Sequence, residues 1–298
     1  MVVIKLFLFG CNAGAGNTCQ GKERKIDPVV STEWLAANSK LENLVILDVR
    51  AADKYESGHI PGAINAPVAC WITERDGLEL ELPEKEDLFS LIGACGITES
   101  SPVVLVSSLP GPDEPPYPLA DSNRVADTLI YAGVKNVAVL DGGYDKWVAE
   151  GRPVTTDVPE VKAVAYTGKV KEDMFVPLAY VENRIGKAIL LDTRDAAVYA
   201  GEIIEPYTTK GGHIPTAKSL PARSIWNENW LYKDKGELRK LASEVIGDKD
   251  KEVIVYCGVG GYASSWWYVL TQMLDYKNVK FYDGSAQEWT KYHDMTLD

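Results

Sequence analysis

The chain has little cysteine, a shortage of positive charge and no long apolar run, and each shortage removes a class of protein. Five cysteines in 298 residues (Cys11, Cys19, Cys70, Cys95, Cys257) show no Cys-x-x-Cys spacing and no nearby histidine partner, so neither a metal site nor a cofactor is expected. Their sparse placement also argues against a disulfide framework. Lys and Arg total 31 against 43 Asp and Glu, a net charge of −12, which excludes wholesale binding to nucleic acid or to an anionic membrane surface. A small anionic substrate would need a local positive site working against that field. Past the N-terminus no segment reaches the length of a membrane span. What is present is the composition of a soluble globular protein, 46% hydrophobic and 25% charged, at a length comfortable for two domains.

Residues 1–23 read as a leader. Lys5 precedes Leu6-Phe7-Leu8-Phe9-Gly10-Cys11 and a small-residue run through Gly16. One reading is a lipoprotein signal with a lipid anchor at Cys11 and a periplasmic or membrane-anchored protein. The short apolar run and the bulky Phe9 keep a second reading open, a cytoplasmic protein without an anchor.

The stretch richest in chemistry is Val253-Ile254-Val255-Tyr256-Cys257-Gly258-Val259-Gly260-Gly261-Tyr262. A β-branched run reads as a buried strand that stops at a thiol, and residues 263–274 are apolar and helix-compatible. The sulfur then sits at a helix N-terminus, where free N–H groups and the macrodipole favour thiolate over thiol. Gly258, Gly260 and Gly261 let those N–H groups turn inward as an anion-binding nest. A bare Cys-Gly pair would mean a buried structural cysteine; the whole strand–Cys–loop–helix pattern points to a nucleophile.

The rest of the chain is organised as a repeat. In the first half, Ser31 caps a short helix over 32–37, and strands are expected at 44–50, 103–106 and 137–140. Helices are expected over 88–94 and 123–132, the Pro-rich stretch 109–118 is expected to be irregular, and a closing helix follows Asp141-Gly142-Gly143. In the second half Asp192-Thr193-Arg194 answers Asp48-Val49-Arg50, Gly212-His213-Ile214-Pro215 answers Gly58-His59-Ile60-Pro61, and Asp283-Gly284 answers Asp141-Gly142. The offsets are 192 − 48 = 144, 213 − 59 = 154 and 284 − 142 = 142, so a domain of about 130 residues is duplicated, with a ten-residue insertion at about 202–210. Strands alternating with helices predict a parallel α/β sandwich in each half. The division is a first domain over 24–153, a linker over 154–165 and a second domain over 166–298. By order, Ser107-Ser108-Leu109-Pro110 takes the place of the cysteine loop in the first domain, so only the second copy kept a thiol.

Taken in order and twice over, these motifs resemble the rhodanese family, specifically the tandem-domain thiosulfate and 3-mercaptopyruvate sulfurtransferases, over roughly residues 28–295. The resemblance implies an α/β fold of two tandem rhodanese-like domains, each a parallel sheet flanked by helices. It implies a double displacement: a small anionic donor, thiosulfate or 3-mercaptopyruvate, passes sulfane sulfur to Cys257, and a thiol or cyanide acceptor removes it from the persulfide. Inward N–H groups of Gly258, Val259, Gly260, Gly261 and Tyr262 would hold the terminal sulfur. Phosphatases of this fold close a longer loop with an arginine six positions after the cysteine; Ala263 stands there, so a phosphoryl clamp is absent. Thiosulfate-using members tend to have basic residues after the cysteine, where this chain has Gly258 and Val259. Mercaptopyruvate members tend to have a serine at Val259 and a threonine at Tyr262, and both branches often have an arginine at Val198.

With that arginine absent, Arg194 and Arg223 are the candidate substrate-binding cations, and Asp192 is a candidate support for the loop amides. His59 and His213 occur in both halves, one of which lacks the thiol, and are expected to be structural. Trp266, Trp267 and Tyr268 are expected in a helix core, and Cys70 and Cys95 to be inert. Two rival readings remain: a non-enzymatic persulfide carrier of the same fold, and an interaction module in which Cys257 is incidental.

Overall fold

The computed structural model describes residues 24–112 and 114–297; the leader, Cys11 and Cys19, and the lipid-anchor expectation lie outside the described residues. The first half contributes β1 (Val29–Val30), β2 (Val45–Asp48), β3 (Ala63–Asn65), β4 (Thr73–Arg75), β5 (Leu78–Glu81), β6 (Pro102–Val106) and β7 (Asn136–Leu140). The second contributes β8 (Phe175–Val176), β9 (Ile189–Asp192), β10 (Lys218–Ser219), β11 (Val253–Tyr256) and β12 (Val279–Tyr282). Two five-stranded parallel sheets result, ordered β1-β7-β6-β2-β3 and β8-β12-β11-β9-β10. The orders correspond strand for strand, as a duplication requires. β4 and β5 form a separate antiparallel hairpin.

The central strands β6 and β11 are fully buried, which is why they read as unbroken apolar runs rather than alternating ones. Ser31 does cap the helix Thr32–Asn38, accepting from the Trp34 N–H at 3.1 Å. One sequence expectation fails at a helix start. The helix expected from residue 123 runs Tyr117–Tyr131, starting six residues earlier and taking in the last two residues of the Pro-rich stretch. Pro118 falls in its first turn, where the missing N–H has no intrahelical partner to lose, so the proline is tolerated.

That helix matters because it joins the halves. It packs on the helix Gly261–Tyr268 that follows the cysteine loop, and one hydrophobic core runs through both, including Val125, Leu129, Trp266 and Leu270. Polar contacts pin the same surface: Ser264 Oγ donates to Ala120 O (3.1 Å), and Tyr268 OH donates to Pro28 O (2.6 Å) and Val137 O (2.9 Å). Trp266, Trp267 and Tyr268 are all buried, as expected of a helix core. The 154–165 stretch has no regular structure after the bridge at Thr155, yet it lies against the first domain, with Thr155 paired to His59 and Val164 N donating to Gly93 O (2.9 Å).

Candidate active site

Cys257 follows the last residue of β11 and precedes the helix Gly261–Tyr268, the strand–loop–helix arrangement the sequence predicts. Register ties it to the first domain: Asp192 pairs with Tyr256 as Asp48 pairs with Val106, so Ser107 is the counterpart of Cys257. The loop is held from below by the helix Ser285–Tyr292. Ala286 N donates to Cys257 O (2.9 Å) and Gln287 N to Gly258 O (2.9 Å), two N-terminal amides spent on loop carbonyls.

Ser285 adds a contact the sequence reading missed. Its Oγ accepts from the Cys257 N–H at 3.3 Å, and it holds this position at φ +51°, a left-handed conformation uncommon outside glycine. The first domain has Gly143 here at φ +54°, and a Cβ on it would lie 2.2 Å from Ser107 O. The replacement of Asp-Gly-Gly by Asp283-Gly284-Ser285 in the second repeat was the available signal.

Around the sulfur, the Gly260 N–H donates to Sγ at 3.1 Å, with Gly260 at φ +93° turning its amide inward. The thiol is nevertheless not favoured as thiolate at rest. Cys257 is 2% exposed, and burial pushes its pKa above the ordinary thiol range. The Ala263, Val259 and Gly260 amides pull it down, and the Glu205 carboxylate pushes it up. The helix end expected to activate the sulfur is present and acts in the expected direction, but desolvation outweighs it. Cys95 is also buried and is raised to about 11, with no loop amides to counter it; Cys70 is exposed.

Both candidate arginines are held by other groups of the chain. Arg194 is 1% exposed; its Nε and Nη2 fork onto Asp192 (2.6 Å at the shortest), and Nη2 also donates to Gly212 O (2.7 Å). Arg50 makes the same bonds to Asp48 and Gly58 O in the domain without a thiol, so the pair belongs to the fold. Asp192 accepts from Arg194, including its backbone N–H, instead of from the cysteine-loop amides. Arg223 lies 3.8 Å over the Trp230 ring and donates to Trp226 O (3.2 Å), directed along its own segment. His59 and His213 stack on Tyr55 and Tyr199 at 3.7 and 3.8 Å and bond backbone carbonyls, the structural role expected of them.

The groups that do wall the loop come from places sequence order does not connect. Glu205, in the insertion, reaches over Gly258, where a Cβ would sit 2.7 Å from Oε2, so the position after the cysteine is covered by a carboxylate. Tyr262 stacks on Tyr117, the first residue of the inter-domain helix, at 5.4 Å between ring centres. Tyr207, also in the insertion, neighbours Tyr117 and has its hydroxyl pushed up to about 12, by burial first and by Tyr117 next. Arg124 Nη1 would be 3.5 Å from a Cβ on Gly260, and it pairs with Asp283 at 2.6 Å while Nη2 donates to Leu80 O (2.6 Å). The insertion was visible as an offset between repeats; which of its residues turn inward was not.

A model of the Rhodanese-like domain matches this chain twice, at residues 31–150 and 178–292. The chain belongs to the rhodanese family. Among curated rhodanese relatives, one from Synechococcus elongatus named "Putative thiosulfate sulfurtransferase" is 33% identical over 278 residues, covering 90% of this chain and 83% of its own length. The "Sulfur carrier protein TtuD" of Thermus thermophilus is 32% identical over 281 residues, covering 88% and 93%. Among solved structures, the 3-mercaptopyruvate sulfotransferase SseA from Escherichia coli superposes with a TM-score of 0.75 at 25% identity, covering 87% of this chain and 99% of that one. By these relationships the protein is a tandem-domain rhodanese of the sulfurtransferase family.

Proposed function

We propose that Cys257 carries sulfane sulfur as a persulfide between a small donor and a thiophilic acceptor. The supporting observation is the Gly260 N–H donating to Sγ at 3.1 Å inside a loop whose Cys257 and Gly258 carbonyls are taken by the helix Ser285–Tyr292. In the first half-reaction the Cys257 thiolate attacks the donor's outer sulfur; with thiosulfate the S–S bond breaks, sulfite leaves with the electron pair, and Cys257–S–S⁻ remains. In the second, an acceptor thiolate takes the outer sulfur and restores Cys257–S⁻. The persulfide's terminal sulfur reaches one bond further than the thiolate, toward the same amide ring, which stabilises its charge without a cationic side chain. The thiol's raised pKa makes the first step the one that needs deprotonation.

The name of the Synechococcus relative favours thiosulfate and that of SseA favours 3-mercaptopyruvate; both donors suit the proposed loop chemistry. Two observations favour the carrier reading: Arg194 and Arg223 are both held by other groups, and the Thermus relative is named a sulfur carrier. Turnover separates the two. Thiocyanate release from thiosulfate and cyanide, or sulfide release from 3-mercaptopyruvate and a dithiol, is expected from the native chain and absent from Cys257→Ser. Stoichiometric sulfur uptake without turnover would favour the carrier.

A further inference from the structure

The insertion places a carboxylate beside the thiol with too little positive charge to match it. Among the described residues Glu205 Oε2 is buried with no donor within hydrogen-bond distance, and its ion-pair partner, Arg194 Nη1, stands 3.6 Å away. Arg194 already forks onto Asp192, and burial first, with Asp192 and Asp195 adding to it, pushes the Glu205 carboxyl above its ordinary range although Arg194 pulls it down. One guanidinium is therefore shared between two carboxylates, Asp192 and Glu205. A buried acceptor lacking a donor, in a net negative cluster, is stabilised by a ligand that brings both a positive charge and an N–H.

The setting of Glu205 is fixed rather than loose. Its carbonyl accepts from Thr208 N (3.1 Å) and Thr208 Oγ1 (3.1 Å), closing a turn. Thr209 Oγ1 donates to Thr290 O (3.1 Å), fastening that turn to the helix Ser285–Tyr292 that also holds the cysteine loop. The side chain as a whole keeps 19% exposure, so it is reached from the mouth of the site. Around that mouth stand the hydroxyl-bearing rings of Tyr117, Tyr207 and Tyr262, none of them cationic.

We infer that Glu205 selects the sulfur acceptor: the Cys257 persulfide is discharged preferentially to an ammonium-bearing thiol, whose ammonium pairs with the Glu205 carboxylate. The inference rests on the proposed persulfide chemistry and specifies the acceptor class of that same site. In the step itself the acceptor thiolate attacks the outer sulfur of Cys257–S–S⁻; one S–S bond forms, one breaks, and the electron pair returns to Cys257, with the ammonium unchanged throughout. An acceptor of the same size carrying a carboxylate meets Glu205 with like charge and is disfavoured.

The test uses the full chain, loaded with sulfur from inorganic polysulfide so that the donor step is bypassed, and follows discharge by intact mass. Cysteamine, 2-mercaptoethanol and mercaptoacetate serve as cationic, neutral and anionic acceptors, with rates compared per unit of thiolate. The native chain is expected to prefer cysteamine over mercaptoacetate by more than roughly tenfold, and Glu205→Gln to lose roughly tenfold of that preference, the value of one charge-assisted hydrogen bond. Glu205→Asp is expected to keep part of it, and matching circular dichroism confirms that all three chains are folded. An unchanged preference in folded Glu205→Gln overturns the inference and leaves persulfide chemistry standing. Failure of polysulfide to load Cys257 overturns the persulfide reading, and the inference with it.

Discussion

Arg124 offers the sharpest test of how the two halves hold the loop. It belongs to the first half, is 1% exposed, and its 2.6 Å pair with Asp283 sits where β12 ends, one residue before the glycine that precedes Ser285. Arg124→Met keeps the aliphatic stem and removes the charge, leaving Asp283, 11% exposed at its side chain, facing Glu81 with no guanidinium between them. Removing one member of a buried pair costs about 3–5 kcal/mol, against about 0–1 kcal/mol for an exposed one. With total stabilities of about 5–15 kcal/mol, this is a large fraction of what holds the fold. Urea unfolding followed by tryptophan fluorescence should show the midpoint falling by more than about 1 M, given slopes near 2–3 kcal/mol/M. Adding Asp283→Asn should restore most of the loss, because the amide still accepts the Leu82 N–H that Asp283 Oδ2 takes at 2.8 Å. A loss under about 1 kcal/mol in Arg124→Met would refute the reasoning and place the pair among ordinary surface contacts.

Two other outcomes follow from the same region. Glu81 is raised to about 7 by burial and by Asp283, so its folded form prefers the proton: the stability this contributes is full below about pH 4.5 and lost as pH rises through 7. Glu81→Gln should match the native chain at pH 4 and exceed it at pH 8 by about 1–2 kcal/mol after solvent screening, measured by the pH dependence of the urea midpoint. Gly260→Ala forces a side chain into φ +93° at a cost of about 1–2 kcal/mol and displaces the amide on Cys257 Sγ, so the thiol should alkylate with iodoacetamide at a higher pH midpoint than in the native chain.

Much of the fold was legible because its signals are local. Val253–Tyr256 is apolar throughout because both faces of a central parallel strand are covered, and the Asp-x-Arg and His-Ile-Pro motifs recur because each closes the same ion pair and stacked turn in both halves. The strand–cysteine–loop–helix arrangement around Cys257 was legible for the same reason: its parts are contiguous. What failed was what depends on distant chain. Pro118 signalled a break only because its place in a first turn, settled by packing against Gly261–Tyr268, was invisible. Thiolate was expected of Cys257 because a helix end is readable in sequence, whereas burial to 2% and the approach of Glu205 are not. Arg194 and Arg223 were candidates from their places in the repeat, and sequence does not show that Asp192 and Trp230 contact them.

The central claim is that Cys257 takes up one sulfur atom, and intact mass spectrometry of the full chain tests it most directly. After incubation with thiosulfate, and separately with 3-mercaptopyruvate, a gain of one sulfur is expected from at least one donor, reversed by cyanide and abolished by Cys257→Ser. A chain that stays unmodified with both donors, or a gain that persists in Cys257→Ser, would contradict it.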